Sequence, residues 1–249
     1  MRLIVPILFI TLNFISCSTP RPQGKTEAEV LLKEAKELIH DDRYILATEK
    51  LNALRGQYPY SYYATHAELL QADILFNQEN FVEAAQAYLT FKDFHPKNDR
   101  MEYVLFRVAE SFYLQVPSTY DRDLSTAFQT IKYFNELLQR YPVSEHKEVA
   151  FTRINKAKEL IRSKEQYIAD FYFKTESFGA ARFRYREILR EFKETKLRNH
   201  AVMRLVQSSY NLSEKKQCLL DYQKFKDHVT PVNKKSLATI AGECENLKE

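Results

Sequence analysis

Phe81-Val82-Glu83-Ala84-Ala85-Gln86-Ala87-Tyr88, running on to Pro96, decides the fold, because the chain writes this phrase four times. Tyr44-Ile45-Leu46-Ala47 continues through Leu51 to Pro59, and Phe178-Gly179-Ala180-Ala181 through Tyr185 to Lys193. A fourth copy runs from Thr130 through Phe134 to Pro142. In each, a small residue is followed four positions later by a large apolar one, and eight positions after that by proline, or once by lysine. A repeat of this period specifies stacked supersecondary units, each packing on its neighbours, rather than one closed core.

The unit resembles the tetratricopeptide repeat, a helix–turn–helix of about 34 residues. That family places a small residue at positions 8 and 20, where its two helices cross closely. Position 8 reads Ala35, Ala72, Ala109 and Ala169, and position 20 reads Ala47, Ala84, Thr130 and Ala181. Position 24, a large ring in the family, is Leu51, Tyr88, Phe134 and Tyr185. The family's tryptophan at position 4 is missing, since the chain has none. A weaker fifth unit keeps the register with Val206, Cys218, Tyr222 and Phe225. The predicted fold class is therefore all-α, a solenoid of about five helix–turn–helix repeats over 28–230, followed by a C-terminal tail, 231–249.

The boundaries have a physical basis. Proline cannot continue a helix and biases the residue before it away from helix. Two residues past position 32 come Ser61, Asn98, Ser144 and Thr195, each able to accept a backbone N–H at the start of the next helix. With only four glycines and no strand-like alternation, a sheet is not expected.

At the N-terminus, Met1-Arg2 precedes an almost wholly apolar stretch, Leu3 to Ile15, that ends in Ser16-Cys17. The stretch is shorter than the ~20 residues a membrane-spanning helix needs and has the length of a signal-peptide core. A small residue followed at once by cysteine resembles a bacterial lipobox, with Phe14 in place of the usual leucine. That resemblance implies a signal peptide over 1–16, a lipidated Cys17 and a flexible tether to residue 27. Serine at position 18, rather than aspartate, implies sorting to the outer membrane. An ordinary secreted protein is the plainer alternative.

Successive position-20 residues lie 37, 46, 51 and 37 apart, so two units carry insertions of 9 and 14 residues. The first places Gln115 to Leu124, including Asp121-Arg122-Asp123, between the helices of the third unit. The second lengthens the first helix of the fourth, from about Glu145 to Lys174. Lipobox, about five repeats, two Tyr-Pro-x-Ser endings (at Tyr58 and Tyr141) and the Asp-Arg-Asp insertion together resemble the BamD (ComL) family of the outer-membrane β-barrel assembly machine. The resemblance covers roughly 17–230; Lys193 and the weak fifth unit depart from it. It implies a lipid-anchored scaffold facing the periplasm. The implied partners are the barrel-forming subunit, other assembly lipoproteins and unfolded outer-membrane protein substrates. The alternative is another periplasmic repeat adaptor, in envelope maintenance or cell division.

Nothing in the sequence favours an enzyme. The six histidines are scattered without a His-x-x-x-His pair, and Gly-rich phosphate loops are missing. Asp121 and Asp123 lack the glycine and distal glutamate of a calcium loop and read as a solvated, self-paired turn. No metal or cofactor is expected beyond the covalent lipid on Cys17. The formal charge of +4, one less once Arg2 leaves with the signal, shows no basic stripe for nucleic acid. Cys218 and Cys244 could pair in an oxidising compartment, but Cys218 holds a close-packing position, where a buried free thiol is the better reading.

Two surfaces are candidate sites. In tetratricopeptide arrays, positions 2, 5, 9 and 12 of each first helix line the concave face; here Leu69, Asp73, Phe76, Phe106 and Tyr113 would make an amphipathic trough for an extended peptide. The alternative is that Phe106 and Tyr113 simply pack on the next helix. Arg182, Arg186 and Arg190, spaced by four, fall on one helix ridge. They are either a docking strip for an acidic partner or a solvated face paired with Glu187 and Glu191.

Overall fold

The computed structural model describes residues 21–248; Cys17 and the preceding leader lie outside them. The described residues are all-α, without a strand among them, and have the helical-repeat architecture expected. The helices are α1 (Glu27–His40), α2 (Tyr44–Gln57), α3 (Tyr62–Asn77), α4 (Phe81–Phe94), α5 (Met101–Leu114) and α6 (Ser125–Arg140). They continue with α7 (Lys147–Lys174), α8 (Phe178–Glu191), α9 (Thr195–Asn211), α10 (Lys215–Phe225) and α11 (Pro231–Glu245). They form two compact units that divide between Ile74 and Leu75.

In the first unit, α1 packs on α2. Thr26 caps α1, its hydroxyl accepting from the Glu29 amide at 3.2 Å. Leu31, Leu32 and Ala35 meet Ala47, Leu51 and Leu54 in the core. In the second unit, each helix from α4 to α11 packs on the next in chain order, and α11 also reaches α9. This is the nearest-neighbour pattern of repeat proteins. The register holds residue by residue: Ala35, Ala72, Ala109 and Ala169 at position 8, and Ala47, Ala84, Thr130 and Ala181 at position 20, are all fully buried. So are Leu51, Tyr88, Phe134 and Tyr185 at position 24. The insertions fall where expected, one as the loop between α5 and α6, the other as the 28-residue α7.

A feature not anticipated from the sequence is the turn within four of the five repeats. Asp42, Glu79, Glu176 and Ser213 all lie at position 15, and all have positive φ, from 56° to 62°. At each, the next residue's N–H reaches back five residues: Arg43 to Leu38, Asn80 to Leu75, Ser177 to Tyr172 and Glu214 to Ser209, at 2.8–3.2 Å. This is the left-handed helix stop that glycine usually provides. Here acids and a serine provide it at some conformational cost. Glu176→Gly is therefore expected to raise stability by about 0.5–1 kcal/mol, measured as a shift in the urea midpoint; an unchanged or lowered midpoint would show that the side chain contributes more than the strain costs.

The expected caps divide. Ser61 caps α3, its Oγ accepting from the Ala64 amide at 3.1 Å. Asn98 and Ser144 sit further out and hold the turn before the helix, accepting from the Arg100 and His146 amides at 2.9 and 3.1 Å. Thr195 is already the first residue of α9. Within the stretch expected as a tail, 231–249, residues Pro231–Glu245 form α11, with Pro231 in its first turn. Leu237, Ile240 and Cys244 belong to the same apolar core as Leu205 and Val206 of α9. Cys218 is fully buried as expected, but it is not a free thiol: it is bonded to Cys244, with Cα atoms 6.0 Å apart, a spacing within the usual disulfide range.

Candidate binding face

Position 9 of three successive first helices carries an acid, and position 12 a ring: Asp73 and Phe76, Glu110 and Tyr113, Asp170 and Phe173. In the second unit each ring is covered by an arginine. Arg107 lies 4.2 Å from the Phe76 centroid, and its Nε donates to the Tyr103 hydroxyl at 2.9 Å. Arg153 lies 4.1 Å from the Tyr113 centroid. It also grips Glu110 with two of its nitrogens, Nη2 to Oε1 at 2.9 Å and Nε to Oε2 at 3.4 Å. Arg204 lies 4.4 Å from the Phe173 centroid. Each cation over a ring contributes about 0.5–2 kcal/mol.

Sequence reading missed these arginines, yet a signal exists. Arg107 and Arg204 both stand two residues before position 8. Arg153 precedes the corresponding place, Tyr167, by the 14 residues of the insertion, which is about four helical turns, so it returns to a similar face.

The trough is less open than expected. Leu69 and Asp73, in the first unit, are buried at 2% and 9% exposure. In the second unit Phe76, Phe106 and Tyr113 are half-buried. Phe106 stacks on His146 at 3.8 Å, and Tyr113 lies under Arg153, so both rings meet groups at or on α7. A ligand on this face would meet guanidinium edges over rings rather than bare rings.

The arginine ridge does not stay one surface. Arg186 turns onto α10 and bonds both oxygens of Asp221 at 2.9 and 3.0 Å. Asp221 is 3% exposed and also accepts from Ser209 and Gln217. Arg182 bonds Glu214, holding that carboxyl below its usual range. Only Arg190 follows the surface reading, paired with Glu187 and Glu191 on its own helix. Spacing by four puts the three arginines on one ridge; it does not show that Glu214, the N-cap of α10, and Asp221 on α10 stand opposite two of them.

Asp170 forms a hub between α7, α8 and α9. It accepts from the Tyr185 hydroxyl and from His200 Nε2, both at 2.6 Å. Burial pushes its carboxyl up, and these two hydrogen bonds outweigh that, so it sits below the usual range. Burial and the bond to Asp170 push the Tyr185 hydroxyl up. In the inserted loop Asp121-Arg122-Asp123 is exposed, and a hydrogen bond from Thr119, with the neighbouring charge of Arg122, holds the Asp121 carboxyl below its usual range. Asp123 accepts from the Ser125 amide at 3.2 Å, and Lys164 on α7 donates to the Arg122 carbonyl at 2.6 Å. Among the described residues there is no group of ligands that could hold a metal ion, and no helix is long and apolar enough to cross a membrane.

Helix order, register and this face define the class: a tetratricopeptide-like helical-repeat protein. The chain belongs to the YfiO family, described as outer membrane lipoprotein, whose model matches residues 25–223. It is 26% identical over 209 residues to the outer membrane protein assembly factor BamD of Rickettsia prowazekii (strain Madrid E), covering 83% of each chain. The protein of the same description from Neisseria gonorrhoeae is 25% identical over 202 residues, covering 78% of this chain and 75% of that one. Among solved structures, the TPR2AB-domain:pHSP90-complex of yeast Sti1 aligns with a TM-score of 0.42 at 12% identity, covering 88% of this chain and 86% of that one.

Proposed function

We propose that this protein is an outer membrane protein assembly factor. In this reading it is a non-enzymatic scaffold, anchored through Cys17 and facing the periplasm, that recruits the barrel-forming subunit and unfolded outer-membrane protein substrates. The observation that supports it is the family match over 25–223, joined by relatives described as assembly factors. The first-helix face of the second unit suits the substrate role, since arginines over rings offer both an apolar surface and donors for carboxylates. The test is affinity purification from detergent-solubilised envelope. Co-elution of a barrel assembly subunit is expected; its absence, with the bait intact, would refute the reading.

Anchoring has its own test. Cys17→Ala is expected to move the folded protein to the soluble fraction, because stable anchoring depends on the acyl chains and the packed helices need no membrane. If the variant stays membrane-bound at high salt, anchoring does not run through Cys17.

A further inference from the structure

The three arginine–ring pairs of the second unit are not equivalent. Arg153 is completed by Glu110, the position-9 acid of the preceding unit. By the same register, the acid for Arg204 would be Asp170. Instead His200, one turn before Arg204 on α9, holds Asp170 at 2.6 Å, and the Tyr185 hydroxyl takes the same oxygen. Residues four apart on a helix share a face, so His200 stands where Arg204 would otherwise reach the acid. Among the described residues Arg204 has no carboxylate partner. Its Nη1 donates to the neutral Gln207 Oε1 at 3.0 Å, and its face rests on Phe173.

We infer that Arg204 is a binding site for a carboxylate of a bound polypeptide. A half-buried guanidinium satisfied only by a ring and an amide lacks a counter-charge. It is already oriented by Phe173, and its planar donors match a carboxylate in the two-pronged way Arg153 shows with Glu110. His200 keeps the site open by occupying Asp170. This inference deepens the reading of the first-helix face as a polypeptide-binding surface and rests on it.

The full chain in detergent tests it in two arms. In the first, the Arg204 Nε–H resonance, assigned by its loss in Arg204→Gln, is followed while sodium glutarate is added. A saturable shift that sodium chloride at equal ionic strength does not reproduce is expected; a shift identical to that from chloride overturns the site. In His200→Phe, Asp170 loses its bond to His200, keeping those from Tyr185 and Gln166, and its remaining acceptor capacity can take the guanidinium, so the glutarate affinity is expected to fall. An unchanged titration there overturns the role given to His200.

The second arm uses one nine-residue peptide in three forms: free C-terminus without acidic side chains, C-terminal amide, and amide with one internal glutamate. Binding of a carboxylate form about tenfold tighter than the plain amide is expected, and that ratio should vanish in Arg204→Gln. Preference for the free terminus or for the glutamate identifies the source. Equal binding of all three forms, or a ratio that survives Arg204→Gln, overturns the inference. Saturation by glutarate with no peptide form binding would instead remove the polypeptide as the source, and the peptide-binding reading with it.

Discussion

Arg186→Glu is expected to lower stability by about 3–5 kcal/mol, since it breaks a buried ion pair and leaves a carboxylate without its counter-charge. Asp221 is 3% exposed and would face a second negative charge across α8 and α10. The Arg186 side chain is 39% exposed, which places the loss toward the lower end. At that size the thermal midpoint should fall by about 10 °C. A midpoint within a degree or two of wild type would show that Asp221 finds water or another donor. Any loss of partner binding in this variant would then be a consequence of loosened helices. Arg190→Glu is the cleaner probe of docking, because Arg190 is 66% exposed and, among the described residues, pairs only within its own helix.

Replacing both Cys218 and Cys244 by alanine is expected to cost about 3–4 kcal/mol, from the loop entropy returned to the unfolded chain across a separation of 26 residues. The effect should concentrate at α10 and α11, whose connection runs through η1 (Lys226–His228) and Val229. Reductant added to the wild type should reproduce it, seen as faster amide exchange in Leu237, Ile240 and Ala241. Equal exchange with and without reductant would show that apolar packing alone holds α11.

Much of the fold was legible because the close-packing positions admit little choice. Where helices nearly touch, only a small residue fits: Ala47, Ala84, Ala181, Cys218, or a threonine satisfied by its own helix, as Thr130 Oγ1 is by the Thr126 carbonyl at 2.8 Å. Burial thus writes itself into residue type. Partner choice among long polar side chains does not. Nothing in the spacing of Arg182, Arg186 and Arg190 separates a solvated ridge from two struts onto α10, and nothing in Cys218 says that α11 returns to meet it. α11 lies past the last repeat match, so the repeat pattern leaves it as a tail, although Pro231 and the apolar Leu237 and Ile240 mark a helix. The left-handed turns were hidden for a different reason: glycine, the usual sign, is absent from all four.

Those four identical stops leave one turn unlike the rest. In the third unit there is no left-handed residue at position 15; the loop 115–124 stands there instead. Its two ends are held, Gln115 Nε2 bonding the Phe81 carbonyl at 3.1 Å and Leu124 sitting buried against Ala157 and Ile161. Its tip, from Ser118 to Asp123, is exposed. The helix pair there is clamped by its flanks, so chain length at the tip is uncoupled from helix geometry, and doubling a loop costs only about 0.6 kcal/mol. The third unit is thus a natural splice point. A reporter peptide grafted after Ser118 would ride on the intact molecule, whereas the same graft at Glu79 or Glu176 would replace the residue that stops a helix.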